Sequence, residues 1–406
     1  MKVAIIGGGA AGCFCAVELK RRRPSCDVVV LEAGKRPLAK VSVTGGGRCN
    51  LTNSFAGIAS LTQAYPRGER LMKRALKVFG SRETMEWFER EGVPLVTQED
   101  CCVFPRSQDA MQIVGLLLSR MRALGVRVKT GARVTGISRG EGGFRIESTS
   151  GVLAADAVVV TTGGKPTRAG YSFLDSLGLE MVPPAPSLFT FNLPDSPVRA
   201  LMGTVVEDVL VSLAGTGFKA SGPLLVTHWG MSGPSVLKLS SYAARHLAEN
   251  AYDATLLVNW LASPLKETAA RIGDASAANP RKLVANTRPS ELPGRLWEYL
   301  VSKSGIRQDA RWSDIGAKSL NRLADTLCND GYRIHGRTRF KDEFVTCGGV
   351  SLEETDLGTL ESKKHPGLFF AGEVLDVDAV TGGFNLQAAW STGWIAARSV
   401  SHIQEP

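Results

Sequence analysis

A glycine-rich segment near the N-terminus carries the clearest chemical signal in the sequence. Residues 7–12 read Gly-Gly-Gly-Ala-Ala-Gly and fit the spacing G-x-G-x-x-G between a predicted apolar strand and a predicted helix. Gly7 would permit the tight turn, Gly9 would let the backbone approach a pyrophosphate, and Gly12 would let the helix pack closely on the strand. The helix N-terminus adds amide donors for phosphate. We therefore predict a dinucleotide site here rather than a plain strand–turn–helix.

An acidic residue follows at a spacing typical of such sites. Glu32 stands twenty positions after Gly12, at the end of a second predicted strand. Its carboxylate can accept hydrogen bonds from both hydroxyls of an adenosine ribose. The same negative charge would repel a 2′-phosphate, which argues against NADP at this site. These residues alone leave FAD and NAD as alternatives.

Three later glycine-rich segments favour FAD. The first, residues 44–53, reads Thr-Gly-Gly-Gly-Arg-Cys-Asn-Leu-Thr-Asn. Its glycines let the backbone lie against a flat or anionic group, while Arg48 and Asn50 offer donors to a phosphate or a flavin edge. An ordinary flexible loop is the alternative reading of this segment. The second, residues 161–164, ends a buried predicted strand, where FAD enzymes of the glutathione-reductase class return to the cofactor.

The third segment lies near the C-terminus. A predicted strand ends in Gly372-Glu373, and residues 381–385 then open a helix after a glycine pair. The acid can hold a ribityl hydroxyl, and the positive end of the helix would lie beside the flavin pyrimidine and stabilise reduced anionic flavin. The alternative is that residues 372–373 and residues 381–385 only form structural turns.

The sequence shows no second G-x-G-x-x-G after a strand. Gly215-Thr216-Gly217 is predicted to lie in a hairpin rather than before a helix. We therefore expect no dedicated NAD(P)H domain. NAD(P)H would bind transiently over the flavin, or the electrons would come from another source.

The hydrophobic pattern predicts an α/β fold whose nucleotide-binding domain is interrupted. We expect an FAD-binding domain formed by residues 1–186 and 343–406, with a substrate domain inserted at 187–342. The insertion reads as strand-rich to about residue 261 and mostly helical over 262–335.

Shorter elements are predicted within the first part of the nucleotide-binding domain. Strands at 3–6 and 28–32 flank a helix at about 11–22, and further helices are expected at 81–91 and 107–124. Runs at 126–138, 143–149 and 152–155, with turns at Gly131 and at 140–143, resemble a small antiparallel meander.

Five motifs together carry a resemblance to a known family. They are GGGAAG at 7–12, GGGRCNLTN at 45–53, THWGMSGP at 227–234, CGGV at 347–350 and AGEVLDVDAVTGGFNLQAAWSTG at 371–393. Over nearly its whole length the chain resembles the BaiN-like (YhiN-like) FAD-binding flavoproteins, which include enzymes of the aminoacetone oxidase and 3-dehydro-bile-acid reductase types.

This resemblance implies a Rossmann-type two-dinucleotide-binding-domain FAD fold with an inserted β-barrel plus helical domain. It also implies flavin-dependent oxidoreductase activity on varied substrates, including reduction of conjugated C=C bonds. Some relatives are tied to dihydrouridine formation in ribosomal RNA. The partner is thus a small molecule or RNA, and a non-catalytic flavin-binding protein is a further alternative.

The candidate cofactor contacts include the motif residues and several further positions. No catalytic acid or base is singled out. The full set is Gly7, Gly9, Ala10, Ala11, Gly12, Glu32, Ala33, Lys40, Gly47, Arg48, Cys49, Asn50, Arg133, Val134, Thr162, Gly163, Gly164, Gly372, Glu373, Gly383, Asn385 and Leu386.

The eight cysteines show neither a C-x-x-C pair nor a Cys/His cluster. We therefore expect neither zinc nor an iron–sulfur cluster. Disulfide reductases carry a redox pair near Cys49, but the partner position here is Ser54, so no local dithiol relay is available. Cys49 is interpreted as a packing thiol, with a catalytic acid or nucleophile as the alternative.

The formal net charge of +9 is compatible with an anionic partner. Two basic stretches stand out, and each is read either as a solvated helix face or as a nucleic-acid contact. They are Lys20, Arg21, Arg22 and Arg23, and then Arg67, Arg70, Lys73, Arg74 and Lys77. An alternating basic edge is read as a solvated strand edge or an anion-binding lip; it comprises Arg333, His335, Arg337, Arg339 and Lys341.

Three other polar residues are ambiguous from sequence. His228 is either a structural histidine or a substrate-facing acid, and Asp376 and Asp378 either bind cofactor or lie on the surface. The sequence shows no signal peptide and no run of about 18 apolar residues that could span a membrane. We expect a cytoplasmic protein with no membrane partner.

Overall fold

The computed structural model describes residues 1–140, 142–336 and 345–404. The chain forms two compact units, one comprising Met1–Pro186 and Val345–Pro406, the other comprising Ser187–Phe344. The second predicted domain boundary, at 342–343, lies outside the described residues. So do Arg337, Arg339 and Lys341 of the predicted basic edge.

The bounds of the strands and helices are as follows. In chain order, the strands are β1 (Lys2–Ile6), β2 (Asp27–Leu31), β3 (Thr52–Asn53), β4 (Leu95–Thr97), β5 (Cys102–Pro105), β6 (Arg127–Lys129), β7 (Val134–Gly140), β8 (Gly143–Ser148), β9 (Gly151–Ala155), β10 (Ala157–Val160), β11 (Met181–Ser187), β12 (Phe191–Asn192), β13 (Val205–Leu213), β14 (Lys219–Val226), β15 (Gly230–Ser232), β16 (Asp253–Asn259), β17 (Asp330–His335), β18 (Val345–Val350) and β19 (Leu368–Phe370). The α-helices are α1 (Ala10–Arg22), α2 (Thr44–Gly47), α3 (Leu61–Ala64), α4 (Glu69–Val78), α5 (Ser81–Arg90), α6 (Ala110–Ala123), α7 (Pro234–Tyr242), α8 (Ala244–Glu249), α9 (Leu265–Ala278), α10 (Gly294–Lys303), α11 (Ala317–Cys328) and α12 (Phe384–Ser401).

A five-stranded parallel sheet forms the centre of the first unit. Its strand order is β19-β10-β1-β2-β6, and every described pairing within it is parallel. Apart from Lys2 and Asp27 at their first positions, the inner strands β1, β2 and β10 are apolar and buried because both faces are covered, as is usual for parallel sheets. Helices α1 and α12 pack against each other, and Phe14 contacts the rings of Trp87 and Trp390 in this core. The predicted Rossmann-type α/β fold is confirmed.

The predicted antiparallel meander is partly wrong. Strands β7, β8 and β9 do form a three-stranded antiparallel sheet. However, residues 126–138 are not one strand. Arg127–Lys129 pairs in parallel with β2 at the edge of the central sheet, and Gly131, with φ of +66°, turns the chain before β7. Apolar spacing alone could not tell which sheet each half of this run would join.

The second unit is built on a six-stranded antiparallel sheet with order β12-β15-β14-β13-β16-β17. Its two edge strands approach each other, since Asn192 Nδ2 of β12 donates to the carbonyl of His335 in β17 at 3.1 Å. Helices pack on it around the fully buried Trp297 and the nearly buried Trp312. The turn at 215–217 joins antiparallel β13 and β14, which confirms the predicted hairpin.

Two features of this unit differ from the sequence-based reading. The insertion is predicted to be strand-rich to about residue 261, but helix α7 begins at Pro234 and α8 follows it. Residues 262–335 were expected to be mostly helical, but the last six form β17, which pairs along β16 with alternating buried and exposed side chains. Strand β17 begins only one residue after α11 ends, so the hydrophobic pattern did not separate the strand from the preceding helix.

Candidate flavin-binding site

The glycine turn between β1 and α1 has the geometry that its spacing predicted. Gly7 has φ of +109°, and a Cβ placed there would lie 2.5 Å from the carbonyl oxygen of Thr161. A Cβ on Gly12 would lie 2.0 Å from the carbonyl oxygen of Gly7. At Gly9, no non-neighbouring atom of the described residues lies within 4 Å of the Cβ position. Gly7 and Gly12 are thus required by packing, whereas Gly9 keeps one side of the turn open.

Glu32 is held in place by backbone amides at the end of β2. Its Oε2 accepts from Gly8 N at 2.7 Å, and its Oε1 accepts from Gly34 N at 2.6 Å. Each carboxylate oxygen has a further lone pair. The carboxylate therefore has a fixed orientation and can still accept ribose hydroxyls. We call residues 7–12 with Glu32 the first-turn site.

A cavity of about 280 Å³ adjoins the first-turn site. It is bounded by the ends of β1 and β2, by the turn before β7, and by a 3₁₀ segment at Arg168–Leu177. Six predicted site residues line it: Gly7, Glu32, Ala33, Arg133, Val134 and Thr162. The fold thus brings together residues from four separate stretches of the sequence.

Two cations, Arg133 and Lys165, line this cavity, and Lys40 lies close enough to Lys165 to repel it. Burial lowers the pKa of Lys165, and repulsion by Lys40 and Arg133 lowers that pKa further, whereas the carboxylates of Glu32 and Glu373 oppose the shift. A pyrophosphate beside these cations would relieve their mutual repulsion. The open side at Gly9, the remaining acceptor capacity of Glu32 and this cation cluster all fit an adenine dinucleotide.

Lys165 also lines the cavity, and sequence reasoning missed it. The one available signal was its position directly after Gly163-Gly164. Its backbone N donates to the hydroxyl of Tyr171 at 3.0 Å, which fixes the segment.

Glu373 joins the second and third glycine-rich segments. Its Oε1 accepts from Thr346 N at 2.8 Å, and a Cβ on Gly164 would lie 2.7 Å from the same oxygen. Lys40 Nζ lies 3.9 Å from Glu373 Oε2. The predicted residues Lys40, Gly164 and Glu373 therefore meet, although they are far apart in sequence.

Gly372 and α1 are also in close contact. Gly372 has φ of +76°, and a Cβ placed there would lie 3.0 Å from the Cβ of Ala11. Its backbone N donates to Thr392 Oγ1 at 2.9 Å. Ala10 and Ala11 form the first turn of α1, so this turn faces the C-terminal segment.

Residues 44–53 pack directly against residues 381–385, and we call these segments the paired loops. The side-chain amide of Asn50 takes the orientation in which both its nitrogen and its oxygen have hydrogen-bond partners. Its nitrogen donates to the Thr52 carbonyl at 3.0 Å, and its oxygen accepts from Gly383 N at 3.2 Å. Asn53 Nδ2 donates to the carbonyl of Gly382 at 3.0 Å. Gly383 has φ of +87°, and a Cβ there would lie 2.3 Å from the Thr52 carbonyl oxygen. The two loops are therefore closely matched.

The backbone at residues 45–47 is left-handed, with φ of +57°, +69° and +85°. The next residue, Arg48, is exposed, and its guanidinium lies 4.5 Å from the centroid of the Phe104 ring. Gly47 has no non-neighbouring atom of the described residues within 4 Å of its Cβ position. This part of the loop presents open backbone beside a cation.

Cys49 is fully buried, and burial raises the pKa of its thiol to about 12. A thiol with that pKa stays protonated at neutral pH and is a poor nucleophile. The geometry favours the packing role that we expected over the catalytic alternative. All eight cysteines are free thiols.

The side chain of Asn385 is bound to the protein. Its Oδ1 accepts from Ala379 N at 3.0 Å, and its Nδ2 donates to the carbonyl of the same residue at 2.9 Å. It therefore closes the loop before α12, and a cofactor contact from this position would come from its backbone. Leu386, one residue further, is partly buried against the main core.

Asp376 and Asp378 neither lie free on the surface nor line the cavity. Asp378 is fully buried in a two-pronged ion pair with Arg67, and both of its bonds are 2.5 Å long. Asp376 accepts from Gly348 N at 3.1 Å. These aspartates brace the segment between Glu373 and the paired loops.

His228 belongs to the other unit. It is exposed, and its ring lies edge-on to Trp229 with centroids 4.4 Å apart. Across residues 1–140, 142–336 and 345–404, no group of three His, Cys, Asp or Glu residues could hold a metal ion. No helix of those same ranges is long and apolar enough to cross a bilayer.

The central parallel sheet and the glycine turn between β1 and α1 define a Rossmann-type dinucleotide-binding fold. The chain belongs to the HI0933-like protein Rossmann domain family, which it matches over residues 1–399. The class of this family is FAD-dependent oxidoreductase, as the resemblance predicted.

Three curated relatives match nearly the whole chain. The chain is 29% identical to a ribosomal RNA dihydrouridine synthase of Escherichia coli strain K12, covering 98% of this chain and 97% of that protein. It is 30% identical to the protein of the same name from Haemophilus influenzae, covering 98% of each. It is 29% identical to a 3-dehydro-bile acid delta(4,6)-reductase of Clostridium scindens, covering 98% of this chain and 99% of that enzyme.

A solved structure supports the fold. The flavoprotein-like architecture matches a mutated quinol fumarate reductase FrdA of E. coli with a TM-score of 0.51 and 14% identity. That match covers 99% of this chain and 70% of the other. At this identity the likeness concerns the fold alone.

Proposed function

We propose that this enzyme reduces a carbon–carbon double bond conjugated to a carbonyl group. The observation that carries the proposal is that its relatives are named for two reductions of the same chemical kind. A bile acid reductase and two RNA dihydrouridine synthases match the chain at 29–30% identity over 98% of its length. Uracil and a 3-oxo-4,6-diene both hold a C=C bond in conjugation with C=O, so one hydride-transfer chemistry serves both substrates.

The first-turn site would hold the adenosine and pyrophosphate parts of FAD. Glu32 would accept the ribose hydroxyls, and Ala33, Arg133 and Val134 would border the adenine. The amides at the start of α1 face the open side at Gly9 and would bind the pyrophosphate. Lys40 and Lys165 would add positive charge. This assignment rests on the cavity and the cation cluster described above.

The paired loops would hold the flavin ring. The N-terminus of α12, capped by Gly383, would direct its positive dipole toward the pyrimidine edge. Arg48 and the open backbone at Gly47 would lie along the ring, and Glu373 with Gly163 and Gly164 would contact the ribityl chain. Bound FAD supplies the hydride chemistry, while these residues orient it and tune its charge.

NAD(P)H is the proposed electron donor. The G-x-G hairpin at 215–217 joins antiparallel strands and lacks the strand-to-helix setting of a dinucleotide site. A nicotinamide would therefore bind transiently beside the flavin ring rather than in a domain of its own.

The test is anaerobic reduction followed by reoxidation. FAD-loaded enzyme would be reduced with NADH or NADPH, then mixed with a 3-oxo-4,6-diene steroid, a simple cyclic enone, or in vitro transcribed ribosomal RNA. The proposal predicts return of the oxidised flavin absorbance with stoichiometric saturation of the double bond in at least one acceptor. Reoxidation by oxygen alone, with every acceptor recovered unchanged, would contradict it.

A second, narrower candidate is reduction of uracil in ribosomal RNA. The formal net charge of +9 favours it, because a polyanion such as RNA gains far more from such a field than a small bile acid with a single carboxylate. This candidate predicts dihydrouridine in the RNA after turnover and no reaction with the steroid. Turnover of the steroid alone would dismiss it and leave the broader proposal intact.

A further inference from the structure

The exposed face of α4 carries a row of cations. Arg70, Lys73, Arg74 and Lys77 are all exposed, and their spacing of three and four residues places them on one side of the helix. The row extends about 10 Å at the rise of an α-helix. We call these four residues the α4 basic face.

The opposite side of the same helix is anchored in the core. Leu71, Met72 and Ala75 are fully buried. The helix is therefore held by its apolar side, and the cations have no part in that packing.

Few carboxylates oppose these charges. Arg70 Nη1 lies 3.5 Å from Glu353 Oε1, but both side chains are more than 70% exposed, at 76% and 71%. Hydrogen bonds from the backbone amides of Gly358 and Thr359 lower the pKa of Asp356, and the charge of Arg74 adds a smaller effect in the same direction. Among the ion pairs of the described residues, none includes Lys73 or Lys77. Like charges at i and i+4 destabilise a helix, so this row of cations does not contribute to the stability of α4.

The other basic stretch provides the contrast. Lys20 donates to the carbonyls of Pro24 and Cys26, and Arg23 donates to the carbonyl of Ile403. Arg21 and Arg22 both pair with the buried Glu18. These four cations are bound to the protein itself, so their charge serves the fold.

The α4 basic face is rigidly linked to the proposed flavin site. A Cβ on Gly68, at the start of α4, would lie 2.6 Å from a methyl carbon of Val377. The preceding residue, Arg67, is fixed by the buried Asp378. Helix α4 also packs against α12, whose N-terminus faces the paired loops. A polyanion bound to α4 would thus be held by the unit that contains the first-turn site.

We propose that the α4 basic face binds the phosphate backbone of RNA. All four exposed groups are cations, which suit phosphates, and α4 carries no aromatic side chain on which bases could stack. Binding through α4 would therefore be independent of base sequence and strongly dependent on salt. The proposal rests on the second functional candidate, reduction of uracil in RNA.

The experiment compares two double variants of the full-length, FAD-loaded enzyme. Lys73→Gln with Lys77→Gln removes two cations from α4, and Arg106→Gln with Arg122→Gln removes two exposed cations elsewhere in the same unit. Binding to in vitro transcribed ribosomal RNA would be measured by filter retention between 50 and 200 mM salt, values that span the steep part of such curves (about a fourfold range). FAD content and dithionite reduction are checked in both variants.

We expect the α4 variant to lose about 0.7–0.9 per lysine from the slope of log affinity against log salt, and the control variant to keep the wild-type slope. An unchanged slope in the α4 variant, with RNA still bound, would overturn the α4 assignment and leave RNA reduction standing. Failure of wild-type enzyme to retain RNA at low salt would overturn both. Binding of the same variants to vesicles of phosphatidylcholine and phosphatidylserine is measured in parallel. If the α4 variant loses vesicle binding without losing RNA binding, the assignment is also overturned.

Discussion

The first-turn site and the paired loops are built in different ways. Glu32 contacts Gly8 and Gly34, which lie 24 and 2 residues away in sequence. In the paired loops, Asn53 binds the carbonyl of Gly382 across 329 residues. Beside them, Trp390 Nε1 of α12 donates to the carbonyl of Leu51 across 339. The first arrangement is local and can be read from sequence, whereas the second depends on the folding of both chain ends together.

The largest expected effect lies in the segment leading to the paired loops. Asp378→Ala would remove the buried carboxylate that binds the mostly buried guanidinium of Arg67, and we expect the free energy of unfolding to fall by about 3–5 kcal/mol. Asp27→Ala is the control, because its pair with Arg127 is about half exposed, at 51% and 53%, and should cost less than about 1 kcal/mol. Urea unfolding measures both. Equal losses would mean that the buried pair does not hold this segment.

A smaller effect is expected within the first-turn site. Gly12→Ala would force a Cβ to within 2.0 Å of the Gly7 carbonyl oxygen, and we expect it to lower the free energy of unfolding by about 1–3 kcal/mol. Gly9→Ala has open space, so its unfolding should match wild type while its FAD affinity falls. Thermal unfolding and FAD titration of both variants separate packing from cofactor approach. Normal FAD affinity in Gly9→Ala would count against a pyrophosphate at this turn.

Glu32→Gln tests the ribose contact. The glutamine would turn an NH₂ group toward one of two backbone N–H donors and lose a charge-assisted hydrogen bond. We expect FAD to bind about tenfold more weakly, equivalent to about 1.4 kcal/mol. Glu89→Gln, an exposed substitution with the same charge change, should bind FAD normally. Similar Kd values for the two variants would argue against Glu32 as a ribose acceptor.

The smallest effect concerns Cys49 at neutral pH. Burial raises the pKa of its thiol to about 12, so the thiol should resist iodoacetamide at pH 8 in the folded enzyme. Because the folded pKa lies above the unfolded value, the stability linked to this group is complete below about pH 8.5 and declines as pH rises toward 12. Mass spectrometry of the alkylated protein checks the first point. Rapid labelling of Cys49 would contradict its packing role.

The sequence predicted those parts of the site whose chemistry is local. The glycine spacing, Glu32 and the strands around them were expected and are present. Lys165 was missed because its importance comes from Lys40 and Arg133, which only the fold brings near. Asn385 was expected at the cofactor, but the backbone of Ala379 takes both ends of its amide. No pattern in the sequence tells whether a polar side chain will face the cofactor or bind the protein backbone.

The same reasoning applies to the elements and the charges. Residues 330–335 alternate like a strand, yet they follow a helix so closely that periodicity merged the two. The two basic stretches look equivalent as sequence. In the stretch at residues 20–23, the cations bind the buried Glu18 and carbonyls near α1. In the stretch on α4, the cations are exposed. Tertiary partners, not composition, decide which charges remain available to a ligand.

The most direct test of the account is a comparison of FAD with FMN. Both carry the same flavin, but FMN lacks the adenosine that Glu32 and the first-turn site would bind. Titration of apoprotein, followed by flavin fluorescence, should show tight binding of one equivalent of FAD and binding of FMN weaker by at least about a hundredfold, since several hydrogen bonds are lost. Equal binding of the two, or a protein that stays colourless with excess FAD, would contradict the account.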